Sequence, residues 1–366
     1  MARIDLIKVS KTLKDRARGG SQATFSIQDL SLTVPNGKTM VILGPSGCGK
    51  TTLLKVIAGL VPLDAGVVRY DHVEMKDVPP EARRIGMVFQ NYALYPHYTA
   101  RSNILSYFLF RKKTPELNAL AAAKYQRTSE LMGVELAHLL DRKPPTLSGG
   151  EKQRVALGRC ITRDAKVFLV DEPFASLDQA LREKYRVNLK VLLRQFDITT
   201  VYVTHDHHEA LILADLLAVM SRGRIEQAGT PQEIYDAPKN LFVAGFLNLH
   251  VGAPPISLLD PRWLPQGERL GDVRVGVRPE DVEILGAERE NAMSGTITAH
   301  LSLPLKNASY MSIRVGEDEV HAQTDGRERR VAGDRIWFTF KRYHVFDKTS
   351  GARLSSEDAK ESLCRG

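Results

Sequence analysis

A glycine-rich segment at residues 44–51, Gly-Pro-Ser-Gly-Cys-Gly-Lys-Thr, constrains the fold of this chain more than any other feature. It follows an apolar run at 38–43 that predicts a buried strand, and it precedes a run at 53–60 that predicts a helix. A strand, a glycine loop and a helix in this order form a phosphate-binding unit. The sequence therefore predicts an open α/β sheet that presents functional groups at the carboxyl ends of its strands.

The predicted role of this phosphate loop is to hold nucleotide phosphates. Its backbone N–H groups converge on phosphate oxygens, and the dipole of the following helix favours negative charge. Lys50 places a cation on the β- and γ-phosphates, and the Thr51 hydroxyl is offered to Mg²⁺. Cys48 contributes its N–H, and its thiol is incidental. The loop residues predicted to bind nucleotide are Gly44, Pro45, Ser46, Gly47, Cys48, Gly49, Lys50, Thr51 and Thr52.

Two further apolar runs end in polar residues that are suited to hydrolysis. The run at 166–170 predicts a buried strand that leads into Asp171 and Glu172, and the run at 199–204 ends at His205. Asp171 is predicted to hold Mg²⁺, and Glu172 to orient and polarise the attacking water. Hydrolysis of this kind needs a positioned water and neutralised charge more than covalent chemistry. A carboxylate pair with divided roles therefore fits it.

Composition narrows the possible classes of protein. The 366 residues, 43% hydrophobic and 26% charged, suffice for two globular domains. No apolar run approaches the roughly 20 residues of a membrane span, and no secretory leader is visible. Cys48, Cys160 and Cys364 are widely spaced, which disfavours disulfides or a zinc site and indicates a reducing cytosol. The net charge of +8 is spread along the chain, which favours a solvated surface over a nucleic-acid patch.

The pattern of elements divides the chain in two. Alternating apolar residues over 4–34 predict antiparallel strands, and helical spacing over 99–137 predicts a helical insertion. From residue 240 onward, short β-like runs separated by Gly, Pro and Asp predict an all-β domain such as a small barrel. We therefore expect a nucleotide-binding domain at 1–240, with a helical subdomain at about 91–150, and a second domain at 241–366.

A second motif indicates which kind of nucleotide-binding domain this is. Residues 147–154 read Leu-Ser-Gly-Gly-Glu-Lys-Gln-Arg. This segment resembles the signature of the ATPases of ATP-binding cassette (ABC) transporters. The resemblance continues in order through Gln90, Asp171-Glu172, residues 176–178 and His205, and it covers the whole chain. It implies a P-loop ATPase in which two cassettes, identical or different, sandwich two ATP molecules head to tail.

The resemblance also assigns roles within that dimer. Ser148, Gly149 and Gly150 of one cassette contact the γ-phosphate held by the other, which is sensible because a helix start supplies N–H donors to an anion. The catalytic residues implied are Glu172, His205 and Gln90, with His205 on the γ-phosphate. Gln90 senses the metal and the water, so that Thr51, Gln90 and Asp171 form the predicted Mg²⁺ site. Ser176–Asp178 couple the two ATP sites.

One departure concerns the base of the nucleotide. Family members usually stack adenine on an aromatic residue in an early loop, and the matching stretch here offers Leu13. Phe25 is the alternative stacking partner. Selectivity for ATP over GTP is therefore less strongly specified by the sequence than phosphate binding.

Segments in the second half resemble one branch of the family. Residues 229–235, 242–246, 276–280 and 346–351 resemble importer ATPases of the maltose and glycerol-3-phosphate type, which carry an OB-like accessory domain called TOBE. The resemblance implies a peripheral subunit on the cytoplasmic membrane face that energises import of a sugar or polyol, such as glycerol or glycerol-3-phosphate. Residues 91–97, around Tyr92–Pro96, resemble the segment that receives a coupling helix from one of two transmembrane permease subunits.

The resemblance leaves the cargo and the choice between identical and different cassettes open. A periplasmic solute-binding protein is an indirect partner of such an importer, and no nucleic-acid partner is expected. The same ATPase could serve an importer of polyamine, ferric iron or an oxyanion. A different class, a soluble ABC ATPase acting on nucleic acid or ribosomes, normally carries two cassettes in one chain, whereas only one set of motifs is present here.

Overall fold

The computed structural model describes residues 2–14, 24–132, 138–174, 179–196, 198–248, 253–264, 272–289, 292–303 and 307–354. Ser176–Asp178 and the side chain of Phe25 lie outside the described residues, so the roles predicted for them stay predictions. The chain divides into two compact units, residues 1–231 and 232–366. The domain boundary at 240/241 and the limits of the helical subdomain also stay predictions.

The first unit combines two sheets with helices. Its strands are β1 (Ile4–Lys14), β2 (Thr24–Val34), β3 (Thr39–Leu43), β4 (Ala65–Tyr70), β5 (Val73–Glu74), β6 (Ile85–Val88), β7 (Val167–Asp171), β8 (Thr199–Thr204), β9 (Leu216–Ser221) and β10 (Arg224–Gly229). Its helices are α1 (Lys50–Ala58), α2 (Ala100–Ile104), α3 (Ser106–Leu109), α4 (Pro115–Met132), α5 (Gly149–Thr162), α6 (Gln179–Phe196) and α7 (His207–Leu213), and α8 (Pro231–Asp236) spans the division between the units.

The larger sheet positions the site. Its strand order is β10-β9-β3-β8-β7-β6, with the pairs from β9 to β6 parallel and the edge strand β10 antiparallel to β9. Strands β3, β7 and β8 are buried along their whole length, as is typical of parallel strands covered on both faces. Because parallel strands point the same way, the residues after β3, β6, β7 and β8 meet at one edge of the sheet.

The smaller sheet has the order β2-β1-β4-β5 and is antiparallel throughout. The predicted antiparallel pair is confirmed, with Ile4 opposite Val34 and Lys14 opposite Thr24. Leu13 is half-buried near the end of β1, opposite Phe25 in the ladder. Because the Leu13 side chain is aliphatic, this position offers no aromatic ring on which adenine could stack.

One predicted helix begins earlier than expected. Helix α1 begins at Lys50, directly after the glycine loop, rather than at residue 53. The apolar residues at 210–220 are divided between two elements, since α7 ends at Leu213 and β9 begins at Leu216. Asp215 lies in the break, where its carboxylate accepts a hydrogen bond from Thr39 N–H at 2.9 Å.

The predicted helical insertion is present as α2, α3 and α4. Thr99 caps α2 by accepting a hydrogen bond from Ser102 N–H. Buried Asn103 ties the preceding loop to α2 by donating from its amide to the carbonyl oxygens of Tyr95 and Tyr98, each at 3.1 Å. Among the helices that the structure describes, none is both long and apolar enough to cross a bilayer.

The second unit is rich in strands, as the sequence predicts for an all-β, TOBE-like domain. After α9 (Leu241–Phe246) it contains β11 (Ser257–Leu259), β12 (Val273–Val277), β13 (Val282–Leu285), β14 (Met293–Leu303), β15 (Ala308–Val315), β16 (Asp318–Asp325), β17 (Arg335–Phe340) and β18 (His344–Asp347). These form a three-stranded sheet, β11-β12-β18, and a five-stranded sheet, β13-β17-β14-β15-β16. Val275, Ile313 and Phe338 lie in the apolar core that both sheets share.

Candidate active site

The phosphate loop joins the end of β3 to the start of α1 in the interior of the larger sheet. A Cβ atom on Gly44 would lie 2.3 Å from the Met220 carbonyl oxygen, so the backbone can pass there only as glycine. Gly47 has a φ of +78°, a left-handed conformation that glycine adopts readily. Gly49 precedes α1 without a capping side chain, which leaves the N–H groups of the first turn available to an anion.

The other loop residues differ in exposure. Pro45, Ser46 and Gly47 are exposed, whereas Cys48 is buried. Burial raises the pKa of the Cys48 thiol above its usual value, so the thiol stays protonated at neutral pH. This agrees with a loop that presents backbone rather than a reactive sulfur.

Lys50 is the first residue of α1, and its side chain is held against the loop. The residue is 5% exposed, and its ammonium donates hydrogen bonds to the carbonyl oxygens of Gly44 at 2.8 Å and Pro45 at 3.0 Å. Lys50 Nζ also lies 3.8 Å from Glu172 Oε1. A cation is thus fixed at the loop with a carboxylate close by.

Glu172 connects Lys50 to His205. It follows β7 with a φ of +41°, a strained conformation for a residue other than glycine. Its N–H donates to the Val203 carbonyl oxygen at 3.1 Å, which ties this turn to β8. Glu172 Oε2 lies 3.0 Å from Nδ1 of the exposed His205 ring. A half-buried carboxylate between an ammonium and an imidazole can accept a proton from a water held in front of it.

Asp171 and Thr51 provide oxygen atoms suited to Mg²⁺. Asp171 is buried at the end of β7, and its Oδ1 accepts a hydrogen bond from Thr51 Oγ1 at 3.0 Å. Burial raises the pKa of Asp171, opposed by the Thr51 hydrogen bond and increased by the charge of Glu172. A bound cation would relieve that cost. The described residues include no group of three or more His, Cys, Asp or Glu side chains that could together hold a metal ion.

The structure does not bring every predicted residue into this cluster. Gln90 follows β6 at the same edge of the sheet, but its exposed side chain makes no hydrogen bond to Asp171 or Glu172 in the described chain. Thr52 lies in the first turn of α1 and is half-buried. Ser148, Gly149 and Gly150 make no hydrogen bond with Lys50, Glu172 or His205 within the part of the chain that is described.

Ser148 instead begins α5. Its hydroxyl accepts a hydrogen bond from Glu151 N–H at 3.4 Å, and the Glu151 carboxylate accepts one from Ser148 N–H at 2.7 Å, which forms a reciprocal capping box. Burial disfavours the charged form of Glu151, but the hydrogen bonds from Ser148 and the charge of Arg142 outweigh it and lower the pKa. The Ser148 hydroxyl keeps a proton that it can donate to a phosphate.

Within the segment at 91–97, the Tyr92 ring packs inside the chain. The role of the segment in receiving a coupling helix stays a prediction. Tyr92 is 4% exposed, and its hydroxyl donates to the Pro173 carbonyl oxygen at 2.8 Å. Arg159 donates to the carbonyl oxygens of Tyr92 and Ala93, at 2.9 and 2.7 Å, and fixes a turn in which both residues have positive φ.

A groove of about 630 Å³ opens beside this turn. Its lining includes Phe89, Tyr95, Tyr107, Phe110, Arg111 and Arg163. Tyr95 packs edge-on against Phe110, and both side chains are substantially exposed. Arg111 and Arg163 both stack on the Tyr107 ring, at 4.1 and 5.3 Å from its centre. The groove therefore combines exposed aromatic surface with positive charge.

Sequence reasoning missed the buried ions around β8. Arg186 on α6 reaches Asp206 and Glu209, which follow His205. The available signal was spacing, since Arg182, Arg186 and Lys190 recur every four residues on one face of a helix. A basic stripe of this kind is usually a solvated face, and nothing in the spacing identifies its acidic partners, of which Glu209 is buried and Asp206 half-buried.

A phosphate loop on a parallel sheet occurs in many nucleotide hydrolases. A helical insertion that leads to a capped Ser-Gly-Gly helix start is far more restrictive. Together with the Lys50–Glu172–His205 cluster, it defines this chain as an ATP-binding cassette ATPase.

Comparisons with known proteins give the family. A family described as ABC transporter matches residues 27–175. The chain is 37% identical to the sn-glycerol-3-phosphate import ATP-binding protein UgpC of Psychromonas ingrahamii, over 96% of this chain and 98% of the relative. It is 39% identical to the trehalose/maltose import ATP-binding protein MalK of Thermococcus litoralis, over 90% and 95%. The chain belongs to the ATP-binding proteins of the ABC transporter family, whose cassette binds and hydrolyses ATP.

Solved structures confirm the fold of the first unit. A dimeric cassette in a post-hydrolysis state bound to ADP and Pi is 30% identical, with a TM-score of 0.51 over 62% of this chain and 98% of that chain. A nucleotide-free cassette is 27% identical, with a TM-score of 0.52 over 63% and 92%.

Proposed function

We propose that this chain is the ATP-hydrolysing subunit of an importer for a carbohydrate or polyol, such as a sugar, glycerol or sn-glycerol-3-phosphate. The proposed class of cargo rests on the names of relatives that match most of this chain. These relatives include ATP-binding proteins for import of sn-glycerol-3-phosphate, of trehalose and maltose, and of xylose and arabinose. The cluster at the phosphate loop supports the enzymatic part, because it contains a fixed cation and a candidate base.

Each residue of the cluster has a proposed part. Lys50 exchanges its loop carbonyl partners for the β- and γ-phosphate oxygens of ATP. Thr51 and Asp171, with Gln90, hold Mg²⁺, which neutralises phosphate charge when bound. Glu172 orients and deprotonates the attacking water, and His205 contacts the γ-phosphate. The 3.0 Å contact between Glu172 and His205 supports this division, since it fixes the carboxylate beside the position of the γ-phosphate.

The site is completed by a second cassette, identical or different. Ser148, Gly149 and Gly150 of one cassette contact the γ-phosphate bound by Lys50 of the other. The capped start of α5 supports this role, because it offers N–H groups and a hydroxyl proton at an exposed helix end. Within the described residues, Ser148, Gly149 and Gly150 make no hydrogen bond to the chain's own cluster, as a head-to-tail arrangement requires.

The groove beside Tyr95 is proposed to receive a coupling helix from each of two transmembrane permease subunits. Exposed aromatic rings suit the apolar face of a helix, and the arginines on Tyr107 suit an acidic residue on it. Docking there places the protein on the cytoplasmic face of the plasma membrane, with a periplasmic solute-binding protein as an indirect partner. The TOBE domain at 241–366 is proposed to be regulatory.

Glu172→Gln tests the core of this proposal. The substitution keeps the shape and removes the base, so the variant should bind ATP normally, lose at least about 100-fold in turnover and accumulate as an ATP-bound dimer. ATPase assays and size-exclusion chromatography with ATP measure both effects. Normal hydrolysis by this variant would refute the role of Glu172. Solute-stimulated ATP turnover with co-purified permease subunits in liposomes tests the import function.

A further inference from the structure

One helix contacts both of the segments that serve different ATP molecules in the proposed dimer. Tyr185, on α6, packs against Gly150 at the start of α5, where an added Cβ atom would lie 2.0 Å from the ring carbon that bears the hydroxyl. The Arg154 guanidinium lies 5.5 Å from the centre of the same ring. The start of α5 is therefore seated against α6 through a ring that fits only opposite glycine.

The next residue on α6 reaches the segment that carries His205. Arg186 is 5% exposed, and its Nη2 donates to Asp206 Oδ2 at 2.5 Å. The same Nη2 lies 3.8 Å from Glu209 Oε1. Asp206 directly follows His205 and caps α7 by accepting a hydrogen bond from Glu209 N–H at 3.0 Å.

A buried network fixes the acceptors of Arg186. Glu209 Oε2 accepts hydrogen bonds from the Tyr202 hydroxyl at 2.8 Å and the Thr204 hydroxyl at 2.7 Å. The Thr204 oxygen in turn accepts one from Asp206 N–H at 3.0 Å. Thr204 and Asp206, on either side of His205, are therefore fixed by hydrogen bonds. The His205 ring itself is exposed and lies against Glu172. Arg186 supplies the closest positive charge to the half-buried Asp206 and the buried Glu209, whereas Arg182 Nη1 lies 3.8 Å from Asp206 Oδ2. Removal of Arg186 would therefore leave the two carboxylates with much weaker charge compensation.

We propose that α6 couples the two half-sites of one chain, with Tyr185 seated on the Ser148–Gly150 half-site and Arg186 positioning His205 in the other. The inference rests on the proposed function, because only in a head-to-tail dimer do these segments serve different ATP molecules. Close-packed helices transmit displacements rather than absorb them. When the start of α5 moves onto the partner's nucleotide, it therefore displaces Tyr185. Because Arg186 is the next residue of the same helix, Asp206 is displaced as well.

Lys190 provides a matched control on the same face of α6. Its ammonium donates to the Leu213 carbonyl oxygen at 2.6 Å and lies 3.5 Å from Asp215 Oδ1, at the other end of α7. Arg186→Met and Lys190→Met each remove one cation that joins the same two helices. Only the first removes a contact beside His205.

The experiment compares both variants as full chains, by ATPase rate against ATP concentration, by affinity for a non-hydrolysable ATP analogue and by thermal unfolding. We expect Arg186→Met to lower kcat about 10- to 100-fold through misplacement of His205, with analogue affinity within about threefold of wild type. Its Hill coefficient should fall from above 1 to 1, and Arg186→Lys should recover part of both losses. Lys190→Met should lower the Tm by as much as Arg186→Met does, but it should keep the wild-type kcat and Hill coefficient.

Tyr185→Ala tests the contact between Tyr185 and Gly150, and it also provides a test of the coupling if Arg186→Met does not fold. It removes the ring from Gly150 and leaves the ion pairs of Arg186 intact, so cooperativity should be lost while kcat at saturating ATP stays near wild type. Tyr185→Phe should behave as wild type. A non-cooperative wild type, cooperativity in Tyr185→Ala, or the same kcat in Arg186→Met and Lys190→Met would overturn the coupling.

The proposed function is tested separately in the same preparations. If Glu172→Gln forms no ATP-bound dimer, the two-cassette function fails as a whole. If that dimer forms and Arg186→Met still behaves like Lys190→Met, only the coupling role of α6 fails.

Discussion

At the scale of single residues, the phosphate loop depends on glycines for two different reasons, a close backbone contact and a left-handed conformation. Gly44 and Gly47 both belong to the phosphate loop, but they are constrained in different ways. Gly44 lies against the backbone of Met220, whereas Gly47 has open space around it and is constrained only by its positive φ. The structure therefore shows that Gly44 and Gly47, which the motif treats alike, are required for different reasons.

This difference predicts unequal effects of alanine. Gly44→Ala forces a Cβ atom into the Met220 carbonyl oxygen, so the loop must move, and we expect at least about tenfold weaker ATP binding with a lower Tm. Gly47→Ala should cost about 1 kcal/mol from the left-handed backbone and leave more of the binding. Titration with a fluorescent ATP analogue and thermal unfolding measure both effects. Equal losses in the two variants would contradict the assigned contact.

At the scale of elements, α5 is the best-specified helix of the site. Its capping box fixes where the helix begins, and Arg159 on the same helix fixes the turn at Tyr92. One helix thus connects the segment proposed to meet the partner's ATP with the rim of the groove. A shift of α5 would change both surfaces together.

The capping box provides a prediction at this scale. Ser148→Ala removes the side-chain cap, which typically costs about 1 kcal/mol, together with the hydroxyl proposed to meet phosphate. In the Glu172→Gln background we expect weaker ATP-induced dimers and unchanged ATP affinity of the monomer, as measured by analytical ultracentrifugation and analogue titration. Thr146→Ala is the control, because among the described residues its hydroxyl bonds to the nearby Lys143 carbonyl oxygen alone. A control that weakens the dimer equally would exclude a specific role of Ser148.

At the scale of the whole molecule, the second unit has a built-in dependence on pH. His344 is 7% exposed, and burial, followed by the charges of Arg278, Arg353 and Arg342, lowers its pKa from 6.5 to about 4. The unfolded chain therefore binds a proton on His344 at a higher pH than the folded chain does. The contribution of His344 to stability is therefore full above pH 6.5 and is lost as the pH drops from 6.5 towards 4.

We expect this histidine to remove at most about 3 kcal/mol from the free energy of unfolding across that range. Trp263 and Trp337 are the two tryptophans of the chain, and both belong to the second unit, so tryptophan fluorescence during denaturant unfolding reports on that unit. Burial also lowers the pKa of His321, so the difference between wild type and His344→Gln isolates His344. The variant should lose less stability between pH 7 and pH 5, and an unchanged slope would refute the assignment.

The sequence by itself determined the features that depend on neighbours along the chain. The glycine loop between a strand and a helix, the strand ends that carry Asp171 and His205, and the β-rich second unit follow from local spacing and period. The family comparison agrees with that reading. Local patterns suffice here because backbone geometry sets them within a few residues.

Only the tertiary structure decided which distant side chains meet. It buried Tyr92 against Pro173, brought Glu172 between Lys50 and His205, and placed Arg186 beside Asp206. In sequence, Arg186 is one more cation on a helix, and Tyr92 is one more aromatic residue in a loop. Burial and charge compensation are properties of the packed molecule, because they depend on what other elements bring to the same place.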